Sequence, residues 1–588
     1  MCGVFGYVGV ESNVGEMVLT ALKTLEYRGY DSWGVAVSGP DQILLDKEPG
    51  RINGRHREFP PARSGIGHTR WATHGGVTAK NAHPHIDEAA RIAVVHNGII
   101  ENYTVLKAEL LARGHVFTSE TDSEVVVHLV EEALERGDSL AAAVSSVFEM
   151  LEGYNAVVVL DREQDAFAAA KRVSPLVLGR GPHASTIASD AVAMHGHADE
   201  LIYLEDDQLA VLSAAGIEVL DRATLQPATA FVTPIHEADN DIDLGIHPHF
   251  MAKEMSEQPR TLRRLVREAR SEIQALAAAC NDAERILFVG CGTAANAALA
   301  GAYLFSDICG REANLVPASE FRYRSAFLDE RTLVVAISQS GETIDVLEAM
   351  HEAKRRGARI AAIVNTPNSS LDRLVDVSVH LRSGVEQCVL ATKSYTAMLA
   401  TLLMTACEMT GEWERGAVSV SSAADTIQTL LDSDLPAQLQ ELGGYVASRE
   451  HMFPIGRGIH YASALEAALK IKEVSYVHAE GFAAGELKHG VIALIEPGTP
   501  CLVFAPDDMT RTDVLSGAAE LRSRGGFMIG LGSASDPSFD VFIEAPESGI
   551  ANVIVEALPG QLLGYYAALA RGNDPDRPRN LAKSVTVK

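Results

Sequence analysis

The chain has 588 residues, 47% of them hydrophobic and 22% charged, a globular composition whose length implies roughly three to five domains rather than one core. A formal net charge of −28 argues against nucleic acid and anionic membrane as partners and leaves small molecules. The seven cysteines (Cys2, Cys280, Cys291, Cys309, Cys388, Cys407, Cys501) are scattered, odd in number and without CxxC spacing, so they read as reduced thiols of a cytoplasmic protein, with no metal site and no cofactor implied.

Along the chain, Glu11, Asn13 and Glu16 interrupt any apolar run near the start, which predicts no export signal, and no window approaches the roughly 20 apolar residues that span a bilayer. Met17, Val18, Ala21, Leu22 and Leu25 recur at helical spacing, while 91–95 and 156–160 have the look of buried strands. These elements belong to a first domain over 2–236. Glu237, Asp239, Asp241 and Asp243 then mark an acidic linker over 237–247. A helical region over 248–278 leads into a regular alternation. Apolar runs at 286–289, 333–337 and 360–364 are separated by helical stretches, and Val375, Val377 and Val379 add an alternating strand nearer an edge. This pattern predicts a parallel sheet covered on both faces. Phe453-Pro454-Ile455-Gly456 before a helix at 462–474 repeats the theme, so two related doubly wound α/β domains are expected, over 248–430 and 431–571. The tail, 572–588, is rich in Pro, Asn and Asp without helical period, a composition usually disordered.

The opening Met1-Cys2-Gly3-Val4-Phe5-Gly6 places a thiol where removal of Met1 would leave an α-amine on the same residue. With pKa values near 8.5 and 8, each group can assist the other's ionisation near neutral pH. Three polar segments accompany it: 67–75 with Arg70, Trp71, Thr73 and His74; His96-Asn97-Gly98; and Thr121-Asp122-Ser123-Glu124. Arginine grips a carboxylate through two parallel hydrogen bonds and aspartate holds an ammonium, so together they suit an α-amino acid. Asn97 and Gly98 offer a side-chain amide and a backbone N–H, the donors an oxyanion hole needs.

These segments, with Tyr27-Arg28-Gly29-Tyr30-Asp31-Ser32, resemble the glutaminase domain of class II glutamine amidotransferases. The resemblance implies an N-terminal nucleophile (Ntn) fold, an αββα sandwich. It makes Cys2 the nucleophile and Asn97 and Gly98 the oxyanion hole. Arg70, Thr73, His74 and Asp122 would bind the amino-acid end of L-glutamine, with Trp71 closing the site.

Farther on, Ser338-Gln339-Ser340-Gly341-Glu342-Thr343 follows an apolar run and precedes a helical pattern, which is the arrangement of a phosphate site at a helix N-terminus. Lys470, Glu473 and His489 supply the amine, carboxylate and imidazole of an aldose–ketose proton shuttle, although Lys470 and Glu473, three apart, are equally the spacing of a plain helical ion pair. The 338–343 segment is similar to the phosphate loop of sugar isomerase (SIS) domains. The tail from Asp576 to Val587 resembles the end of the glucosamine-6-phosphate synthase family. That resemblance implies amination and isomerisation of fructose 6-phosphate in a homodimer. It makes Lys583 the imine-forming lysine, Glu473 the proton-transfer base, His489 the ring-opening residue and Lys470 an auxiliary acid–base. Thr293, Ser338, Gln339, Ser340, Thr343 and Val389 would bind the sugar phosphate, with Leu581, Val585 and Val587 anchoring the tail. The chain departs from the family pattern at Ala294 and Ala391, where hydroxyls are usual. Action on another ketose phosphate, or a non-catalytic sugar-phosphate-binding regulator, therefore stands as the alternative.

Overall fold

The computed structural model describes residues 2–52, 58–235 and 243–585; Glu237, Asp239 and Asp241 of the expected linker, and Val587 of the tail, lie outside the described residues. The chain divides into two compact units, Met1–Asn240 with Ser584–Lys588, and Asp241–Lys583.

The first unit stacks two antiparallel sheets of eight and six strands. Strand Gly3–Gly9 shows why they stack. Val4 and Val8 join the core shared by the two sheets, whereas Phe5 and Tyr7 point to the opposite face, beneath the helix Val14–Thr24. In the second sheet, Ala93 and Val95 of strand Ile92–Gly98 meet that same inner core, and Ile92 and Val94 face helices Tyr103–Ala112, Glu124–Glu135 and Leu140–Met150. Strands buried on both faces are apolar at every position, which explains the uninterrupted runs at 92–95 and 156–160. Helix, sheet, sheet and helix form four layers, the sandwich expected.

The second unit contains two parallel sheets of five strands. The first runs in the order Ala313–Pro317, Arg285–Gly290, Thr332–Ser338, Arg359–Val364, Val377–His380, so the alternating strand lies at the edge. The second runs Phe482–Ala483, Ile455–Gly456, Pro500–Phe504, Phe527–Gly532, Val541–Glu544. One hydrophobic core joins the two, including Ile337 and Leu402 from the first half and Ile471 and Leu558 from the second.

Two readings from composition alone are corrected. The segment Gly549–Ala570, with mean hydropathy 1.3, is by length and composition apolar enough to cross a membrane, but 83% of that window is buried inside the fold. Its helix Asn552–Ala570 packs on helices His460–Ser475 and Leu435–Ala447, and burial on all sides explains its all-round apolar character. The described part of the tail, 572–585, is ordered despite its composition. Asp576 accepts hydrogen bonds from the backbone N–H groups of Phe250 (2.8 Å) and Met251 (2.7 Å), Arg579 N–H donates to the Tyr476 hydroxyl (2.8 Å), and Leu581 packs on the core. Val585, 49% exposed, is not an anchor; polar contacts from 573–583 hold the tail instead.

Candidate active sites

In the first unit, Gly3 pairs with Thr69, which brings Cys2 to the end of strand Ser64–Arg70. A Cβ at Gly3 would lie 2.5 Å from Thr69 Oγ1, so only glycine fits beside this cysteine. The Trp71 N–H donates to Cys2 Sγ at 3.3 Å. Burial pushes the thiol up; the Trp71 N–H and the Arg70 and Arg28 guanidiniums oppose it, and the net shift is upward. Asn97 closes strand Ile92–Gly98, and its Nδ2 donates to the Cys2 carbonyl at 3.2 Å while its Oδ1 is held by His68 Nε2 at 3.0 Å. Gly98 follows with φ 134°, where a Cβ would fall 2.2 Å from the Tyr154 carbonyl oxygen. That close approach requires glycine, and it turns the chain directly after Asn97.

Arg70 donates to the carbonyls of His74, Gly75 (3.2 Å) and Gly76 (3.1 Å), so in this structure its guanidinium shapes the loop after strand Ser64–Arg70. On that loop Trp71 meets Tyr30 edge-on, His74 meets Tyr103 edge-on, and Thr73 is exposed. Asp122 is buried, and its Oδ2 accepts the Ile100 N–H at 2.8 Å.

Behind Asn97 lies a cluster that single motifs do not reveal: His68, His83, His85 and His96, all buried. Desolvation pushes every one of them down, His68 to about 3, so the cluster is uncharged at neutral pH. His68 Nε2 faces two acceptors, Asn97 Oδ1 and the His96 carbonyl (3.2 Å), so it carries the proton. His96 spans Ser123 Oγ (2.8 Å) and Asn155 Oδ1 (2.9 Å).

In the second unit, Lys583 Nζ donates to Glu386 Oε2 (2.8 Å) and to the carbonyls of Cys388 (2.7 Å) and Leu390 (3.3 Å). Glu386 also accepts from Thr392 N–H and Ser394 Oγ. Burial raises its carboxyl, but Lys583 and these donors win and hold it at about 2. Glu254, beside it, is pushed up to about 8 by burial and by the Glu386 charge. Helix His460–Ser475 presents Glu466, Lys470 and Glu473 on one face. Lys470, 1% exposed, lies 2.8 Å from Glu473 Oε2 and 3.5 Å from Glu466 Oε1. Burial disfavours the Lys470 ammonium, yet the two carboxylates raise it above the ordinary lysine range.

The 338–343 segment forms the turn expected. Ser338 Oγ accepts the Gly341 N–H (3.0 Å) and Ser340 Oγ the Glu342 N–H (3.1 Å). Gly341 has φ 68°, where a Cβ would meet Ser369 Oγ at 2.0 Å. The Gln339 carbonyl accepts the Asn365 N–H at 3.2 Å. Thr343 is the N-cap of helix Ile344–Arg355 and its side chain makes no capping bond, leaving first-turn N–H groups for an anion.

The structure thus brings together Cys2, Asn97, Gly98, Arg70 and Trp71 in one unit, and Lys470 with Glu473 in the other. Thr293 Oγ1 donates to Glu466 (3.0 Å), and Val389 N–H donates to the Asp576 carbonyl (3.0 Å), so both support the site's frame. His489 is exposed at the end of the turn Ala484–His489, with no hydrogen bond to Lys470, Glu473 or Lys583. Sequence reasoning missed Glu386, Glu254, Glu466 and His68. Of these, Glu466 carried a signal, four residues before Lys470 on the same helix face, and His68 lay within the polar segment 67–75 without a role assigned to it.

Fold and sites define a glutamine amidotransferase domain on one chain with paired SIS domains. Residues 68–196 match the glutamine amidotransferase domain, and 280–407 and 445–568 each match the SIS domain. The chain is 39% identical to the isomerizing glutamine–fructose-6-phosphate aminotransferase of Methanothermobacter thermautotrophicus and 40% identical to those of Thermus thermophilus and Pyrococcus horikoshii, covering 100% of both chains in each pair. Among solved structures, the C-terminal domain of glucosamine-fructose-6-phosphate aminotransferase from Francisella tularensis matches with a TM-score of 0.54 at 29% identity, over 57% of this chain and 100% of that one. The chain belongs to the isomerizing glutamine–fructose-6-phosphate aminotransferase family.

Proposed function

We propose that this enzyme transfers the amide nitrogen of L-glutamine to fructose 6-phosphate and isomerises the product to glucosamine 6-phosphate, releasing glutamate. The observation that carries this reading is Lys583. An otherwise flexible composition is tied down so that one amine reaches Glu386 and two carbonyls, in the same unit as Lys470–Glu473 and the Thr343 helix N-terminus. A module that only bound sugar phosphate would need no such amine.

In this reading the Cys2 thiolate, relieved of its proton by its own α-amine once Met1 is removed, attacks the carboxamide carbon. The C–N bond breaks and ammonia leaves; water then hydrolyses the thioester to glutamate. Asn97 Nδ2 and the Gly98 N–H take the developing oxyanion charge. Lys583 condenses with the C2 carbonyl of the open-chain ketose opened by His489, releasing water; ammonia displaces the lysine amine to leave the sugar's own C2 imine, and Glu473 carries a proton from C1 to C2 with Lys470 assisting. The 338–343 turn holds the phosphate. The domain limits 2–236, 248–430 and 431–571, a homodimer and a cytoplasmic setting belong to the same proposal.

Incubation with amide-¹⁵N glutamine and a panel of ketose phosphates tests it. Labelled glucosamine 6-phosphate, formed fastest from fructose 6-phosphate, is expected. A faster reaction with another ketose phosphate would assign Ala294 and Ala391 to a changed pocket, and no amino sugar from any of them would overturn the reading.

A further inference from the structure

Away from both sites, three ligating side chains converge on the helical face of the first unit. His115 follows helix Tyr103–Ala112, while His128 and Glu131 lie three residues apart on helix Glu124–Glu135. Glu131 Oε2 is 3.5 Å from His128 Nδ1 and 3.7 Å from His115 Nδ1, and one donor atom from each of the three lies within 4.8 Å of the others.

His128 supplies an independent observation. It is 2% exposed, its ring packs against those of His115 and Phe117, and neither ring nitrogen makes a hydrogen bond; Glu131 Oε2 makes none either. Buried polar groups without partners are costly and rare, and a cation here would take up Glu131 Oε2 and His128 Nδ1, leaving His128 Nε2 facing Glu124 Oε1 at 3.9 Å.

His115 is already oriented for the same point. Its Nε2 lies 3.0 Å from Glu132 Oε1, an acceptor, so the proton sits on Nε2 and the lone pair on Nδ1 faces Glu131. Glu132 is itself held by Arg113 Nε at 2.7 Å. A carboxylate on the far nitrogen of an imidazole is the usual orienting partner of a metal-bound histidine. A tetrahedral zinc with bonds of about 2.0–2.1 Å has ligand atoms about 3.3 Å apart, so only small side-chain movements separate this geometry from a bound state. Two imidazoles and one carboxylate favour zinc-like ions over calcium or magnesium. Asp87, Glu88 and Glu124 add negative charge around the cluster.

We propose that His115, His128 and Glu131 form a divalent transition-metal site of zinc type, completed by water and oriented by Glu132. It would staple the segment after helix Tyr103–Ala112 to the helix that starts two residues beyond Asp122. It uses none of the cysteines.

The test is calorimetric titration of the metal-free full-length protein with Zn²⁺ alone, and with Co²⁺ for its visible spectrum. One equivalent is expected, with cobalt bands of a nitrogen–oxygen site and no thiolate charge-transfer band, which excludes Cys2 as the ligand. His115→Gln and Glu131→Gln, both at half-buried positions, should each weaken binding at least tenfold. Glu132→Gln should weaken it about 10- to 100-fold while leaving the cobalt spectrum in place. Absence of binding, or unchanged affinity in both His115→Gln and Glu131→Gln, overturns the site.

Discussion

Lys583 Nζ lies 2.8 Å from Glu386 Oε2, across 197 residues of sequence, and the carboxylate sits fully buried beneath it. With two carbonyls also accepting from it, the amine is held by three directed bonds before any substrate arrives.

Lys583→Arg should therefore abolish amino-sugar synthesis while sparing glutamine hydrolysis, because a guanidinium stays protonated and forms no imine. Borohydride trapping with fructose 6-phosphate should label the C-terminal peptide of the native enzyme only. Full synthase activity in the variant would remove Lys583 from the mechanism.

Cys2→Ala should eliminate glutaminase activity and glutamine-dependent synthesis but leave ketose-to-aldose isomerisation measurable, since the thiol and the Lys470–Glu473 pair lie in different compact units. Separate assays of the two half-reactions decide this, and intact mass of the active enzyme shows whether it begins at Cys2.

In the proposed mechanism His68 acts through Asn97, which it holds by a hydrogen bond. In His68→Ala the Asn97 amide loses the bond that fixes which end faces Cys2. Removing an oxyanion donor outright costs about 10²–10³ in kcat, so loosening one should cost about tenfold, with KM for glutamine little changed. A defect confined to KM would mean that His68 serves glutamine binding instead.

Glu254, whose carboxyl is raised from 4.5 to about 8, stays protonated in the fold where the unfolded chain ionises, so it makes stability fall as pH rises between those values. Glu254→Gln keeps an acceptor for the Gln387 and Cys388 N–H groups and removes the titration. Denaturant unfolding across pH 4.5–8 should show the variant gaining on the native protein as pH rises. A constant difference would mean that Glu254 is ionised in the fold throughout.

His460 is buried between Glu556 (2.7 Å) and Asp508 (2.9 Å). Burial opposes its charge, but the carboxylates prevail and raise it from 6.5 to about 10. Its raised folded value contributes stability fully present below 6.5 and lost as pH rises through about 10. His460→Gln leaves Glu556 buried without its cation and should cost about 3–5 kcal/mol at neutral pH. Chemical denaturation from pH 6 to 10 should find the deficit shrinking at the alkaline end.

Sequence by itself determined whatever depends on neighbours along the chain. Ile92–Val95 and Leu333–Ile337, within strands Ile92–Gly98 and Thr332–Ser338, are apolar at every position because both faces are covered, so their strand character was legible from the sequence. Cys2, Asn97–Gly98 and the 338–343 turn were legible because the proposed nucleophile, the proposed oxyanion hole and the helix N-terminus each occupy a few consecutive residues. Tertiary structure alone decided the rest. The tail's Pro- and Asn-rich composition lacks the apolar periodicity that marks an ordered element, yet Asp576 on the Phe250 and Met251 N–H groups and Lys583 on Glu386 order it. Glu386 and Glu254 lie far apart in sequence, and nothing local distinguishes either from a surface carboxylate. Their opposite shifts, to about 2 and about 8, arise because burial raises both while Lys583 lies directly on only one of them.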